Sequence, residues 1–157
     1  MLRLKLYVDR VLGMTIVIVM AALVLDVLWQ VFTRFVQRDP SSYTEELARF
    51  LMIWVGLLGA AYAAGKRMHL SVDVLLTRLH GQRKRILAIA IECFTLCFAL
   101  AALVVGGGRL VWTMLYLGQT SAALGVPLGY LYVVVPVSGL LIAFYSVYEI
   151  SQILRNG

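Results

Sequence analysis

Four predominantly apolar stretches dominate the chain: Val11–Val31, Leu47–Ala64, Ile86–Val105 and Pro127–Val147, of 21, 18, 20 and 21 residues. At a rise of about 1.5 Å per residue, a helix of this length crosses roughly 30 Å of hydrocarbon. Lipid offers no hydrogen-bond partners, so a spanning segment must satisfy its own backbone, and runs this long do so as helices. The expected fold is therefore all-α, with four transmembrane helices. Together the runs take about half of the 157 residues, which leaves no stretch able to fold as a separate soluble domain. The whole of 1–157 reads as one four-helix membrane domain. With 62% hydrophobic and only 14% charged residues, a soluble enzyme is excluded.

Charge then orients the helices. If the chain crosses four times, ten of the 14 Lys and Arg residues fall on one side, at Arg3, Lys5, Arg10, Lys66, Arg67, Arg78, Arg83, Lys84, Arg85 and Arg155. Arg34, Arg38, Arg49 and Arg109 fall on the other. The positive-inside rule places both termini and the central connection in the cytoplasm. The basic residues before the first run resemble an export signal, but the run is too long and Met20-Ala21-Ala22-Leu23 is a poor cleavage site, so a retained helix is expected. The net charge of +6 comes with no aromatic-interleaved basic stripe and no zinc spacing, which argues against nucleic acid.

The connections carry their own signals. Asp39-Pro40-Ser41-Ser42 is a turn sequence, and Ser42 or Thr44 can cap the second helix. Gly56, Ala60 and Ala64 form a smooth face whose expected use is close helix packing. In the central connection Val72, Leu75, Leu76 and Leu79 follow helical spacing, predicting a short amphipathic helix over about 71–80. It would lie in the headgroup layer, with basic Gln82-Arg83-Lys84-Arg85 near anionic lipid. At Gly106-Gly107-Gly108 the third helix either continues or bends. Pro127 suits the start of helix four, whereas Pro136 removes a donor inside it, frees the Tyr132 carbonyl and predicts a kink there.

Ionisable residues at membrane depth need partners. Measured along the helices, Asp26 and Arg49 lie at similar depth, which predicts an ion pair between helices one and two with Gln30 beside it. Glu45 and Glu46 could pair with Arg109 at the outer surface. Glu92, just on the cytoplasmic side of the midplane, meets no basic residue at its own depth, so a contact with Ser138 or another chain is expected. Trp54, near mid-span, suggests buried packing or contact rather than a belt position. His69 and His80 fall in the cytoplasmic connection, too far out to ligate haem in the bundle. Cys93 and Cys97 make a poor metal site and read as apolar filler. No catalytic, metal or cofactor constellation emerges. A different class remains open: a self-contained, homo-oligomeric, proton-coupled small transporter using Glu92 or Asp26.

Tyr43-Thr44-Glu45-Glu46-Leu47-Ala48-Arg49, Trp54, Gly59-Ala60-Ala61 and His69-Leu70-Ser71-Val72-Asp73, in that order, resemble the small DctQ-type membrane subunit of tripartite ATP-independent periplasmic (TRAP) transporters. Gly118-Gln119-Thr120-Ser121-Ala122-Ala123-Leu124 with Pro127, Tyr132 and Pro136 resembles that family's closing signature. One departure is Gly65-Lys66-Arg67-Met68-His69, where the family often has glycine directly before the histidine region. The resemblance implies a non-catalytic subunit of the bacterial inner membrane, without cofactors. Such a subunit would brace a large membrane subunit that carries the sodium and substrate sites, for symport of a small, acidic solute delivered by a periplasmic binding protein. It also implies interface or bracing roles for Glu45, Glu46, Arg49 and Trp54, and places His69 and Asp73 at the cytoplasmic turn. Glu92 joins them as a candidate interface residue on its depth alone.

Overall fold

A computed structural model describes residues 2–37, 42–66 and 82–155. The turn at 39–41 and the expected interfacial helix at 71–80, with His69, Asp73 and His80, lie outside the described residues. Those described form an all-helical structure with four helical segments long and apolar enough to cross a membrane: Arg3–Val36, Ser42–Gly65, Gln82–Tyr116 and Leu128–Arg155. They comprise α1 (Leu2–Phe32), α2 (Ser42–Gly65), α3 (Gln82–Phe98), α4 (Gly107–Tyr116), α5 (Leu128–Tyr132) and α6 (Val134–Arg155). Each span is longer than its apolar run, because charged and aromatic residues at the ends continue the helix into the headgroup region.

The third span continues through the glycines instead of bending away. Ala99–Gly106 forms a π-helical stretch that joins α3 to α4. There the Gly107 N–H reaches the carbonyls of Ala102 and Leu103, so the wider turn keeps the ladder bonded. The same glycines allow α6 to approach. A Cβ on Gly107 would lie 2.7 Å from Val135 Cγ1, and one on Gly139 would lie 2.6 Å from Leu103 Cβ.

The fourth span breaks where Pro136 predicts. Helix α5 ends at Tyr132, Val133 forms a turn and α6 starts at Val134. Pro127 stands just before α5 as its cap. Between α4 and α5 the chain makes a compact loop, closed by a bridge between Thr120 and Pro127 and by left-handed Gly118 (φ 61) and Gly125 (φ 66), a conformation that favours glycine.

Packing runs laterally: α1 rests on α2, α2 on α6, and α6 on α3 and its π-helical continuation. Helix α6 is the most enclosed, burying Val134, Ser138, Gly139, Ala143, Tyr145, Ser146, Tyr148 and Glu149. The core joins Leu12, Leu58, Ala61, Val134 and Tyr145. On α2 the tightly packed small residues are Ala61 and Gly65. Gly56 and Ala60 are exposed, and a Cβ on Gly56 would touch nothing within 4 Å, while Ala64 is half-buried, so the first two members of the expected packing face point away from this chain's own helices. Rotation of α2 about its axis, set by Phe50, Leu58 and Ala61, decides this.

Candidate functional site

Helix α1 is apolar on every side, so hydropathy hides which face turns inward. The structure selects Asp9, Leu12, Ile16, Val19, Leu23, Asp26, Gln30 and Thr33, spaced alternately by three and four residues, and all buried or half-buried. This is the 3.5-residue seam of left-handed helix packing, and the polar members mark its two ends. Asp9 and Asp26 are separated by about 25 Å along the axis, close to the hydrocarbon thickness of a bilayer.

At the end where the chain's termini lie, Asp9 is the centre of one polar girdle. Its Oδ1 accepts a 2.6 Å hydrogen bond from the Tyr145 hydroxyl, and its Oδ2 lies 3.5 Å from Lys66 Nζ. Three helices are thereby tied through one carboxylate. Tyr145, only 1% exposed, fits there because Gly65 has no side chain; a Cβ would come within 2.6 Å of the phenol ring. A second tie runs from Lys5 Nζ to Glu149 Oε1 at 3.6 Å, with the ammonium 5.0 Å from the Tyr148 ring centroid. Sequence reasoning missed Asp9 and Glu149. The available signal was that Asp9 lies in register with Asp26 on the inward seam.

At the opposite end, Gln30 Nε2 donates to Asp26 Oδ2 at 3.1 Å and to the Thr44 carbonyl at 2.7 Å. Both amide hydrogens are used, and α1 is fastened to the first turn of α2. The expected Asp26–Arg49 pair is not formed. Arg49 instead reaches Glu45 one turn back, at 3.5 Å, with both side chains mostly exposed. Arg49 sits on the outward face of α2, whereas Asp26 points inward. Gln30 is beside Asp26 as expected.

Glu45 and Glu46 also do not pair with Arg109. Glu46 Oε2 accepts the Ala123 N–H at 2.7 Å, and the Ser121 hydroxyl and the amides of Ala122 and Leu124 face the same carboxylate. Ser121 Oγ in turn accepts the Leu124 N–H at 3.2 Å. The loop thus curls its donors around one side chain from α2, and this explains the clustering of small residues in Ser121-Ala122-Ala123: bulk there would keep the backbone from the carboxylate. Trp54 has the contact role expected of it. Its indole N–H donates to the Leu131 carbonyl at 2.9 Å, beside the interrupted turn of helix four, where backbone acceptors lose ladder partners. Ser138 donates its hydroxyl to Val135 O at 2.8 Å, and Glu92 is half-buried on α3. Cys93 and Cys97 are free thiols facing outward.

The arrangement holds helices in fixed relation and leaves a large apolar exterior. Residues 23–156 match the family model described as "Tripartite ATP-independent periplasmic transporters, DctQ component". The chain belongs to the DctQ family. It is similar to the sialic acid TRAP transporter small permease protein SiaQ of Vibrio cholerae, at 27% identity over 140 residues, covering 87% of this chain and 77% of that one. It is also similar to the C4-dicarboxylate TRAP transporter small permease protein DctQ of Rhodobacter capsulatus, at 28% identity over 65% of this chain and 44% of that one. A third relative is the isethionate TRAP transporter permease protein DctMQ of Oleidesulfovibrio alaskensis, at 37% identity over 61% of this chain and 15% of that one. The chain is accordingly a multi-pass membrane protein and a small TRAP permease subunit, not an enzyme. Small subunits of this kind work with a large membrane subunit.

Proposed function

We propose that this small permease subunit braces the large membrane subunit of a TRAP transporter in a bacterial inner membrane. The observation that carries this reading is the use made of the buried and half-buried polar groups. Asp9, Glu46, Trp54 and Tyr145 each tie one helix to another helix or loop of the same chain. Large apolar side chains such as Val17, Ile18, Leu25, Phe94 and Trp112 face outward. Such a body resists deformation and presents its surface to lipid and a membrane partner, as a fixed support beside a moving transport domain requires.

Both termini lie in the cytoplasm in this reading, in keeping with the charge bias of the connections. Sodium coupling and solute binding reside in the large subunit, and a periplasmic binding protein delivers the solute. The names of the relatives, sialic acid, C4-dicarboxylate and isethionate, support a small organic anion as that solute.

The test is reconstitution. The chain, co-expressed with its large subunit, is expected to co-purify with it, and sodium-driven uptake of the organic anion from its binding protein is expected only when both membrane subunits are present. Uptake by the chain alone in proteoliposomes, abolished by Asp26→Asn or Glu92→Gln, would replace this reading with the self-contained transporter.

A further inference from the structure

The girdle at the termini sorts charge by sign. Both described acids at this end, Asp9 and Glu149, are buried, and each faces a lysine from another helix: Lys66 and Lys5. Among the described residues, the charges left exposed or half-exposed here, apart from these paired lysines, are Arg3 and Arg10 on α1, Arg83, Lys84 and Arg85 on α3, and Arg155 on α6. The last four lie on two helix ends that meet. Arg85 Nη2 donates to the Leu154 carbonyl at 3.2 Å, which brings the first turn of α3 against the last turn of α6 and leaves the other guanidinium donors of Arg85 available. The acids of these two helices lie farther along them. Glu149 is turned to Lys5, and Glu92 is seven residues, about 10 Å, beyond Arg85.

We propose that this corner binds the phosphate headgroup of an anionic phospholipid through Arg83, Lys84, Arg85 and Arg155. Three features favour a lipid over a free anion. The corner is at the end of two membrane-spanning helices, at headgroup level. Ile86 and Leu154, 66% and 57% exposed, stand directly beside the cations and offer an apolar surface for acyl chains. Arg83, Lys84 and Arg85 are consecutive, so their charges reinforce one another at this end of α3. Sequence shows a basic run at 83–85; the structure brings the helix end that carries Arg155 beside it, and the described acids of the two helices lie elsewhere.

The experiment uses the purified full chain in detergent micelles, supplied with equal amounts of phosphatidylglycerol and phosphatidylcholine, with lipid retention read by native mass spectrometry. Wild type is expected to retain phosphatidylglycerol selectively. A cation near an anionic surface strengthens association about fivefold, so R83Q/R155Q is expected to weaken retention roughly 25-fold. R3Q/R10Q, which removes the same charge from α1, is expected to leave the retained lipid in place. Both double variants alter exposed side chains, and circular dichroism checks that helix content is kept. If R83Q/R155Q loses helix, R83K/R155K preserves charge and is expected to retain the lipid. Equal loss in the two charge-removing variants, no preference for phosphatidylglycerol, loss from R83K/R155K, or displacement of the lipid by inorganic phosphate would each overturn the proposal. The readout is lipid, not transport, so failure here is distinguishable from failure of the bracing role.

Discussion

Tyr145→Phe removes one oxygen from a buried polar contact between two helices, and its cost can be worked from the surroundings. The lost bond is 2.6 Å long and runs to a carboxylate oxygen of Asp9, while the phenyl ring keeps its place against Gly65. Hydrogen bonds to charged groups are worth about 1.5–3 kcal/mol in soluble proteins, whereas interhelical polar contacts in membranes average about 0.6 and reach about 1.7 kcal/mol. Lys66 still faces Asp9 at 3.5 Å, so the carboxylate is not stranded and the upper membrane value is the relevant ceiling. A loss of about 1–1.7 kcal/mol is expected, roughly 5- to 20-fold in the unfolding equilibrium. Reversible unfolding from mixed micelles, followed by far-ultraviolet circular dichroism, would measure it in Tyr145→Phe, Asp9→Ala and the double variant. Because the two residues share one contact, the double variant is expected to lose less than the sum. A Tyr145→Phe cost below about 0.3 kcal/mol, or additive losses, would refute the view that this bond fastens α1 to α6.

Other substitutions separate packing from polarity. Gly139→Ala forces a Cβ against Leu103 and Val104 and is expected to cost about 1–3 kcal/mol in thermal unfolding, whereas Gly56→Ala, with open space around it, should be near neutral. Trp54→Phe leaves the Leu131 carbonyl without its indole donor, so a loss of about 1 kcal/mol is expected, along with faster proteolysis near the α5–α6 break. Asp26→Asn and Arg49→Gln should be additive within about 0.5 kcal/mol in the same assay, since Asp26 engages Gln30 and Arg49 engages Glu45; strong coupling would restore the rejected ion pair.

How far the candidate site could be read in advance varies residue by residue. Trp54 was legible as a contact residue because an aromatic with a polar N–H at mid-span needs an acceptor, although the acceptor is Leu131 rather than the neighbouring Tyr132 that Pro136 frees. Gln30 was legible beside Asp26 because four residues apart on a helix means adjacent. Arg49 misled, because matching depth along two helices says nothing about the direction each side chain takes around its axis. Asp9 and Glu149 were passed over because an acid near a helix end among basic residues looks solvated until a neighbouring helix covers it.

Apolar runs long enough to span hydrocarbon, punctuated by Pro127 and Pro136, were sufficient on their own to determine four helices long and apolar enough to cross a membrane and a broken fourth helix. These follow from backbone hydrogen bonding within a segment, which needs no knowledge of neighbours. Helix rotation and lateral order were decided only in three dimensions. When every face of a helix is apolar, hydrophobicity cannot choose which side turns inward. That choice falls to close contacts at Gly65, Gly107 and Gly139 and to the few polar pairs that bridge distant parts of the chain.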